Sequence, residues 1–204
     1  MLLTKPAFAP RLLTIEDYFL ALSPQKVPDK LELVYRLYKI YNKVVLTNSS
    51  SKELKAEPFH QFYFWGEMLL RDFEEVDKYM VETTLLFRDL RHQKELDTTF
   101  DYLTPEQKDF LKNFWGTFEQ HPSENKSKFL NIWTKLSPLY EAFKENLLLE
   151  NLAYEGLLQR QVVEGMTDRL GNNVDKVIFA GFNALTTVEE KLIRYHLQQG
   201  LSEV

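Results

Sequence analysis

The spacing of apolar residues along the chain is mainly that of amphipathic helices. The clearest stripe lies between Pro28 and Thr47, where apolar residues recur at i, i+3, i+4 and i+7, the spacing of one helix face. It comprises Leu31, Val34, Leu37, Tyr38, Tyr41, Val44 and Val45. Thr14 predicts a shorter helix before it, because a threonine N-cap with an acid at the third helical position is a helix start signal. That helix should end before Pro24.

Further start and stop signals predict helices through the middle of the chain. One helix begins near Pro58, and Asp72 is predicted to interrupt and re-cap it, because Asp72-Phe73-Glu74-Glu75 fits a capping box. Thr104-Pro105-Glu106-Gln107 starts another helix. Three more are expected over about 126–136, 138–149 and 151–165, with Pro138 causing the first break.

The C-terminal part adds a strand to this helical pattern. Residues 174–182 are typical of a short buried strand that enters a loop, and Thr186 or Thr187 caps a last helix that ends at Gly200. A buried strand needs partners for its backbone groups, and an extended segment near the N-terminus is the other candidate strand. We therefore predict a mainly α fold, a multi-helix bundle with one or two short β-strands near the termini. Two such elements make a poor sheet, so we expect the chain to be a segment of a longer protein.

Composition and charge narrow the function classes. The 204 residues include no cysteine, which excludes disulfides, thiolate metal sites and cysteine nucleophiles. The net charge of −5 is unlike the basic excess of most small nucleic-acid-binding proteins. There is no apolar run of membrane-spanning length and no signal-peptide pattern, so we expect a cytoplasmic protein without membrane contact.

No catalytic constellation is predicted. The chain lacks a Gly-rich phosphate loop, and its four histidines are scattered without metal-ligand spacing, so we expect no metal and no cofactor. Pro28-Asp29 with Glu53-Leu54-Lys55 imitates the PD…ExK nuclease pattern, but the first pair opens a helix and the second lies in a Ser-rich loop. We interpret this match as chance.

Two clusters leave alternatives open. The acids Glu67, Asp72, Glu74, Glu75 and Asp77 suit either paired catalytic carboxylates or a solvated helix face with a cap, and the second is favoured. The aromatic run from Phe59 to Trp65 suits either a stacking platform for single-stranded nucleic acid or helical core. Core is favoured, because no lysine or arginine lies between Glu57 and Arg71.

Several strings, in the same order, resemble the N-terminal half of the AddB-like PD-(D/E)XK nuclease proteins of Bacteroidetes. They are Ala9–Phe19, Phe64–Tyr79, Leu103–Gln107, Ala153–Arg160 and Val177–Thr186. Such proteins are helicase-like in their N-terminal part, carry a RecB-type nuclease module at the C-terminus, and are assigned to DNA repair and recombination. The resemblance implies a helical insertion over about 25–170, flanked by helicase-core edges at 1–24 and 171–204.

This resemblance also implies a function and site residues. The chain would be a non-catalytic helical domain that guides a DNA strand or contacts the rest of the parent protein and a helicase partner subunit. The strand end at Phe179, Ala180, Gly181 and Phe182 would be a second helicase motif that lacks its acids. DNA contacts are expected, through the parent protein, from Arg11, Thr14, Lys126, Lys128 and Lys135. The alternative is a helical protein–protein interaction domain without nucleic-acid binding.

Overall fold

The computed structural model describes residues 11–46, 58–83, 86, 135–166, 177–200 and 202–203. The fold is mainly helical, as predicted. Its elements are α1 (Ile15–Leu22), α2 (Lys30–Tyr41) continued by a π-helical turn (Asn42–Leu46), α3 (Phe59–Lys78), α4 (Leu136–Leu149), α5 (Glu155–Glu164), β1 (Val177–Ile178), α6 (Thr187–Gln198) and β2 (Ser202–Glu203). The helices predicted from Thr104 and over 126–134 lie outside the described residues.

Local side-chain caps explain where three helices begin. The Thr14 hydroxyl accepts the N–H of Asp17 at 3.1 Å and starts α1. The Asp29 carboxylate accepts the N–H of Glu32 at 2.8 Å and starts α2. At α6, Glu189 reaches back to the N–H of Thr186 at 2.7 Å. Each cap satisfies a backbone donor that a helix start leaves unpaired.

Helices α2 and α3 form an antiparallel hairpin around close contacts. The start of α2 lies beside the middle of α3 through Lys30 and Glu67, and the end of α2 lies beside the start of α3 through Tyr41 and Phe62. At Gly66 an added Cβ would lie 2.9 Å from a Val34 methyl carbon. The missing side chain therefore lets the two helices approach.

Helix α5 is central to the core and contacts α1, α3 and α6. It crosses α3 at Gly156, where an added Cβ would lie 2.5 Å from the carbonyl oxygen of Glu74. Helix α4 packs on α2 and contributes Phe143, whose ring stacks on Tyr154 at 5.7 Å. Both of these aromatic side chains are fully buried.

The C-terminal residues form a minimal β–α–β unit. Strands β1 and β2 pair in parallel, with Val177 opposite Ser202 and Ile178 opposite Glu203, and α6 connects them. The partner of β1 is thus the next strand along the chain, whereas residues 11–14 are unpaired coil. Within the predicted strand over 174–182, residues 174–176 lie outside the described residues, Val177 and Ile178 are strand, and 179–182 are not. Ile178 is 68% exposed rather than buried.

The predicted break of α3 at Asp72 is wrong. The helix is continuous from Phe59 to Lys78, because Leu69, Leu70 and Phe73 keep one buried face across that point. Asp72 lies on the exposed side of this helix, where a capping sequence does not by itself interrupt backbone hydrogen bonding.

The helix boundaries around Pro138 and Asn151 also differ from the prediction. Helix α4 begins at Leu136, so Pro138 lies in the first turn, where its missing N–H costs nothing. Helix α5 begins at Glu155 rather than near 151, because Asn151 is left-handed with φ of 57°. The next residues form a parallel bridge to Lys26, with hydrogen bonds of 3.1 and 3.0 Å.

Among the described helices, none combines the length and the apolar character needed to cross a membrane.

Candidate functional site

The two N-terminal residues predicted to contact DNA lie on the surface before α1. Arg11 is exposed coil, and Thr14 is exposed but uses its hydroxyl oxygen to cap α1. Thr14 therefore has a local structural role that accounts for its identity. Arg11 remains an exposed cation for which no pairing is observed among the described residues.

Of the three lysines predicted to contact DNA, the structure describes Lys135. Lys126 and Lys128 lie outside the described residues. Lys135 is half-buried at the start of α4, and burial lowers its pKa. Helix α4 packs on α2, whereas α1 packs on α5, so Lys135 and Thr14 belong to different helix pairs.

The predicted helicase-like motif lies directly after β1. Phe179 is buried, whereas Ala180, Gly181 and Phe182 are exposed, and Gly181 takes a φ of 83° that favours glycine. The Phe179 ring lies 6.2 Å from Tyr18 of α1. The structure therefore places this motif against the helix that Thr14 begins.

A hydrogen-bonded pair of a partly buried tyrosine and a buried histidine also lies at this junction between α1 and α6. The Tyr18 hydroxyl and His196 Nε2 are 2.9 Å apart, and the Phe179 ring lies 5.7 Å from the imidazole. His196 is 2% exposed, and its Nδ1 has no hydrogen-bond partner in the described structure. Burial lowers the pKa of His196, so the imidazole is held in its neutral form.

Within the acidic cluster of α3, Asp77 departs from the predicted solvated face. Its carboxylate is 0% exposed and accepts hydrogen bonds from the hydroxyls of Tyr140, at 2.6 Å, and Tyr154. Arg160 of α5 pairs with the same carboxylate at 3.2 Å and also donates to the Val81 carbonyl at 3.3 Å. The spacing of the acids gave no signal for this burial, since the partners come from other helices.

Chemically, this Asp77 cluster joins helices rather than forming an acid–base pair. Burial and the neighbouring carboxylate raise the pKa of Tyr140 and of Tyr154, so both hydroxyls remain protonated and act as donors. The carboxylate, two phenols and a guanidinium satisfy one another's hydrogen bonds. The cluster thereby ties α3 to α4 and α5.

The aromatic run at the start of α3 is only partly core. Phe62 is buried, as the core interpretation requires, but Phe64 is 75% exposed. Phe59 and Tyr63 are half-buried and pack at the edge of the core. Tyr35 of α2 joins them, with its ring 5.3 Å from Phe59. An exposed aromatic surface therefore follows the outer side of the α2–α3 hairpin.

An open groove adjoins this surface where α2 begins. Its volume is about 620 Å³, and it runs between the start of α2, the middle of α3 and Glu155 of α5. Phe64 and Met68 give it apolar walls, while an exposed ion pair of 2.7 Å between Lys30 and Glu67 lies beside them. Protein interfaces have an apolar core and a polar rim, which Phe64 and Met68 beside the Lys30–Glu67 pair resemble.

Two further candidate patterns have local explanations. Asp29 of the PD…ExK match caps α2, and Glu53 and Lys55 lie outside the described residues. His60 is exposed on α3. Within the part of the chain that the structure describes, no group of three histidines or acids is arranged to hold a metal ion.

Comparison of the chain with protein-family models, curated proteins and solved structures finds no match.

Proposed function

We propose that this chain is a non-catalytic helical domain of a cytoplasmic DNA end-processing helicase–nuclease of the AddB-like kind. In that role it guides a DNA strand or contacts other parts of the parent protein and its partner subunit. The parent supplies the nuclease chemistry, and this domain needs no cofactor of its own. The observation that carries the proposal is the contact between its two ends.

That contact joins residues far apart in sequence. Tyr18 of α1 bonds His196 of α6 and packs against Phe179 after β1. A domain that is inserted into another must leave and re-enter its host at nearby points, and adjacent ends are typical of such domains. The helical body between the two ends fits this description.

The β1–α6–β2 unit supports the same proposal. A parallel pair joined by a helix is the building block of α/β sheets, which are normally covered on both faces. An isolated pair of short strands is at best marginally stable in water, the described pairing covers two residues of each strand, and Ile178 exposes most of its surface. An edge of a larger parallel sheet, such as a helicase core, would pair these strands further.

The alternative is a protein–protein interaction domain that binds no nucleic acid. The groove lined by Phe64 and Met68 favours it, as does the net charge of −5. Both roles agree with a non-catalytic helical body, so DNA binding separates them.

The test is a fluorescence-anisotropy titration of the full chain with labelled single-stranded and duplex DNA. Measured at about 50 mM and about 200 mM KCl, binding through phosphates should weaken steeply with salt. Such binding to either DNA supports the strand-guidance role. Failure to bind either form at low salt contradicts that role and favours the protein-contact alternative.

A further inference from the structure

Four aromatic rings form a continuous row on the outside of the α2–α3 hairpin. In order they are Tyr35, Phe59, Tyr63 and Phe64, and we call them the aromatic row. Successive ring centroids are 5.3, 6.0 and 6.0 Å apart. The two end rings are the more open ones, Tyr35 at 44% and Phe64 at 75% exposure.

The row divides into supporting and exposed rings. Phe59 and Tyr63 lie one turn apart on α3 and pack against the edge of the hydrophobic core, whereas Tyr35 and Phe64 are outside it. The inner rings thereby anchor the row to the core, and the outer rings present aromatic surface to solvent. Exposed aromatic side chains of this size cost solubility, so a contiguous set of them indicates a binding surface.

One lysine of α2 borders the row at Tyr35, and a second lysine follows it on the π-helical turn. Lys39 Nζ lies 4.6 Å above the Tyr35 ring, and Lys43 follows four residues later; both are exposed. Neither makes an ion pair with any residue that the structure describes. No acid occurs over residues 33–46, which include Lys39 and Lys43, so the cations of the row come from its α2 side.

We propose that the aromatic row is a stacking platform for single-stranded DNA, with Lys39 and Lys43 facing the phosphates. The inference rests on the DNA role proposed above and assigns it to a surface. Single-strand binding surfaces combine aromatic rings for the bases with cations for the backbone. A duplex has no free base faces to stack, so the row fits a single strand.

The experiment measures binding of labelled oligothymidylate of about 16 nucleotides to the full chain and its variants. Phe64→Leu and Tyr35→Leu keep an apolar side chain but remove the ring, and each should weaken binding at least about fivefold. Lys39→Gln and Lys43→Gln should each lower the slope of log affinity against log salt by about 0.7.

Matched controls remove one aromatic ring and one lysine at positions away from the aromatic row. Tyr79→Leu removes a half-exposed ring at the opposite end of α3, and Lys191→Gln removes an exposed lysine of α6. Both should leave affinity and salt slope unchanged. Circular dichroism of every variant establishes that the helices are intact.

The outcomes separate the platform from the broader DNA role. Salt-dependent binding that Phe64→Leu and Tyr35→Leu leave unchanged, or that Tyr79→Leu weakens equally, overturns the platform alone. If neither oligothymidylate nor duplex DNA binds at about 50 mM KCl, the platform and the DNA role both fall. A partner protein then becomes the occupant of this face.

Discussion

At the scale of single residues, the buried Asp77 carboxylate binds several polar side chains at one point. One carboxylate without exposed surface accepts hydrogen bonds from Tyr140 of α4 and from Tyr154, which precedes α5, and pairs with Arg160 of α5. A buried charge is tolerated only where partners satisfy it. The identities of Tyr140, Tyr154 and Arg160 therefore depend on Asp77.

Replacement of Asp77 should destabilise the fold strongly. Asp77→Ala removes the acceptor that two buried hydroxyls share and one partner of Arg160, so we expect a loss on the order of 3 kcal/mol in the free energy of unfolding. Urea denaturation measures it. The control is Asp72→Ala on the exposed side of α3, which should change stability by less than about 0.5 kcal/mol. Equal effects of the two changes would contradict the assigned role.

His196 gives stability a defined dependence on pH. Burial lowers its pKa in the folded protein below the ordinary 6.5, so the unfolded chain binds the proton first as the pH falls. The contribution of His196 is therefore complete above about pH 6.5 and decreases below it. Among the described residues, Nδ1 has no hydrogen-bond partner that would stabilise the charged form.

The measurement compares the free energy of unfolding at several pH values for wild type and His196→Gln. The glutamine variant should lose less stability between neutral and mildly acidic pH, because it has no group to protonate there. Tyr18→Phe removes the hydrogen bond but keeps the histidine, so it should retain the pH dependence. Identical pH profiles for wild type and His196→Gln would show that the imidazole is not held neutral.

At the scale of elements, the crossing of α3 and α5 depends on a glycine. The backbone of α5 approaches that of α3 so closely at Gly156 that a Cβ would lie 2.5 Å from the Glu74 carbonyl oxygen. The neighbouring atom is backbone and cannot rotate away. Helix propensity alone favours alanine by about 1 kcal/mol, so packing and propensity act in opposite directions here.

We expect Gly156→Ala to destabilise the protein by about 1–3 kcal/mol, because the two helices must separate. Gln161→Ala, also on α5, is the matched control, and thermal or urea unfolding should place its effect near zero. A stabilising Gly156→Ala would mean that propensity outweighs the close approach.

Element boundaries show where prediction from local sequence holds and where it fails. Thr14 and Thr186 start their helices as expected, and α2 starts at Asp29 of the Pro28-Asp29 pair predicted to open it, because a cap acts over three or four residues. The helices that contain Asp72 and Pro138 continue past these residues. Whether a capping sequence interrupts a helix depends on the apolar face that continues past it, and a proline is tolerated in a first turn.

At the scale of the whole molecule, α1 and the C-terminal β1–α6–β2 unit share one junction. Phe179 is buried between Tyr18 of α1 and His196 of α6, and α5 lies against both helices. The C-terminal unit is therefore packed on the helical body through aromatic contacts.

Removal of the Phe179 ring should destabilise α1 and α6 together. Phe179→Ala should cost about 3 kcal/mol and accelerate hydrogen exchange in α1 as well as in α6, which hydrogen–deuterium exchange detects. Phe182→Ala, at a more exposed ring of the same loop, should cost less than about 1 kcal/mol. Faster exchange confined to α6 would show that the two ends fold independently.

The sequence by itself determined the mainly helical class and most helix starts, because periodicity and caps are properties of neighbouring residues. It did not reveal that Asp77 is buried or that Phe64 is exposed. Asp77 lies in a run of acids, which indicates a solvated face, and Phe64 lies in a run of aromatic residues, which indicates core. The tertiary structure alone brought Lys39 and Tyr35 of α2 beside Phe59 of α3 and paired β1 with β2. Such contacts depend on which faces of separate elements meet, and the free energy of burying the whole core decides that.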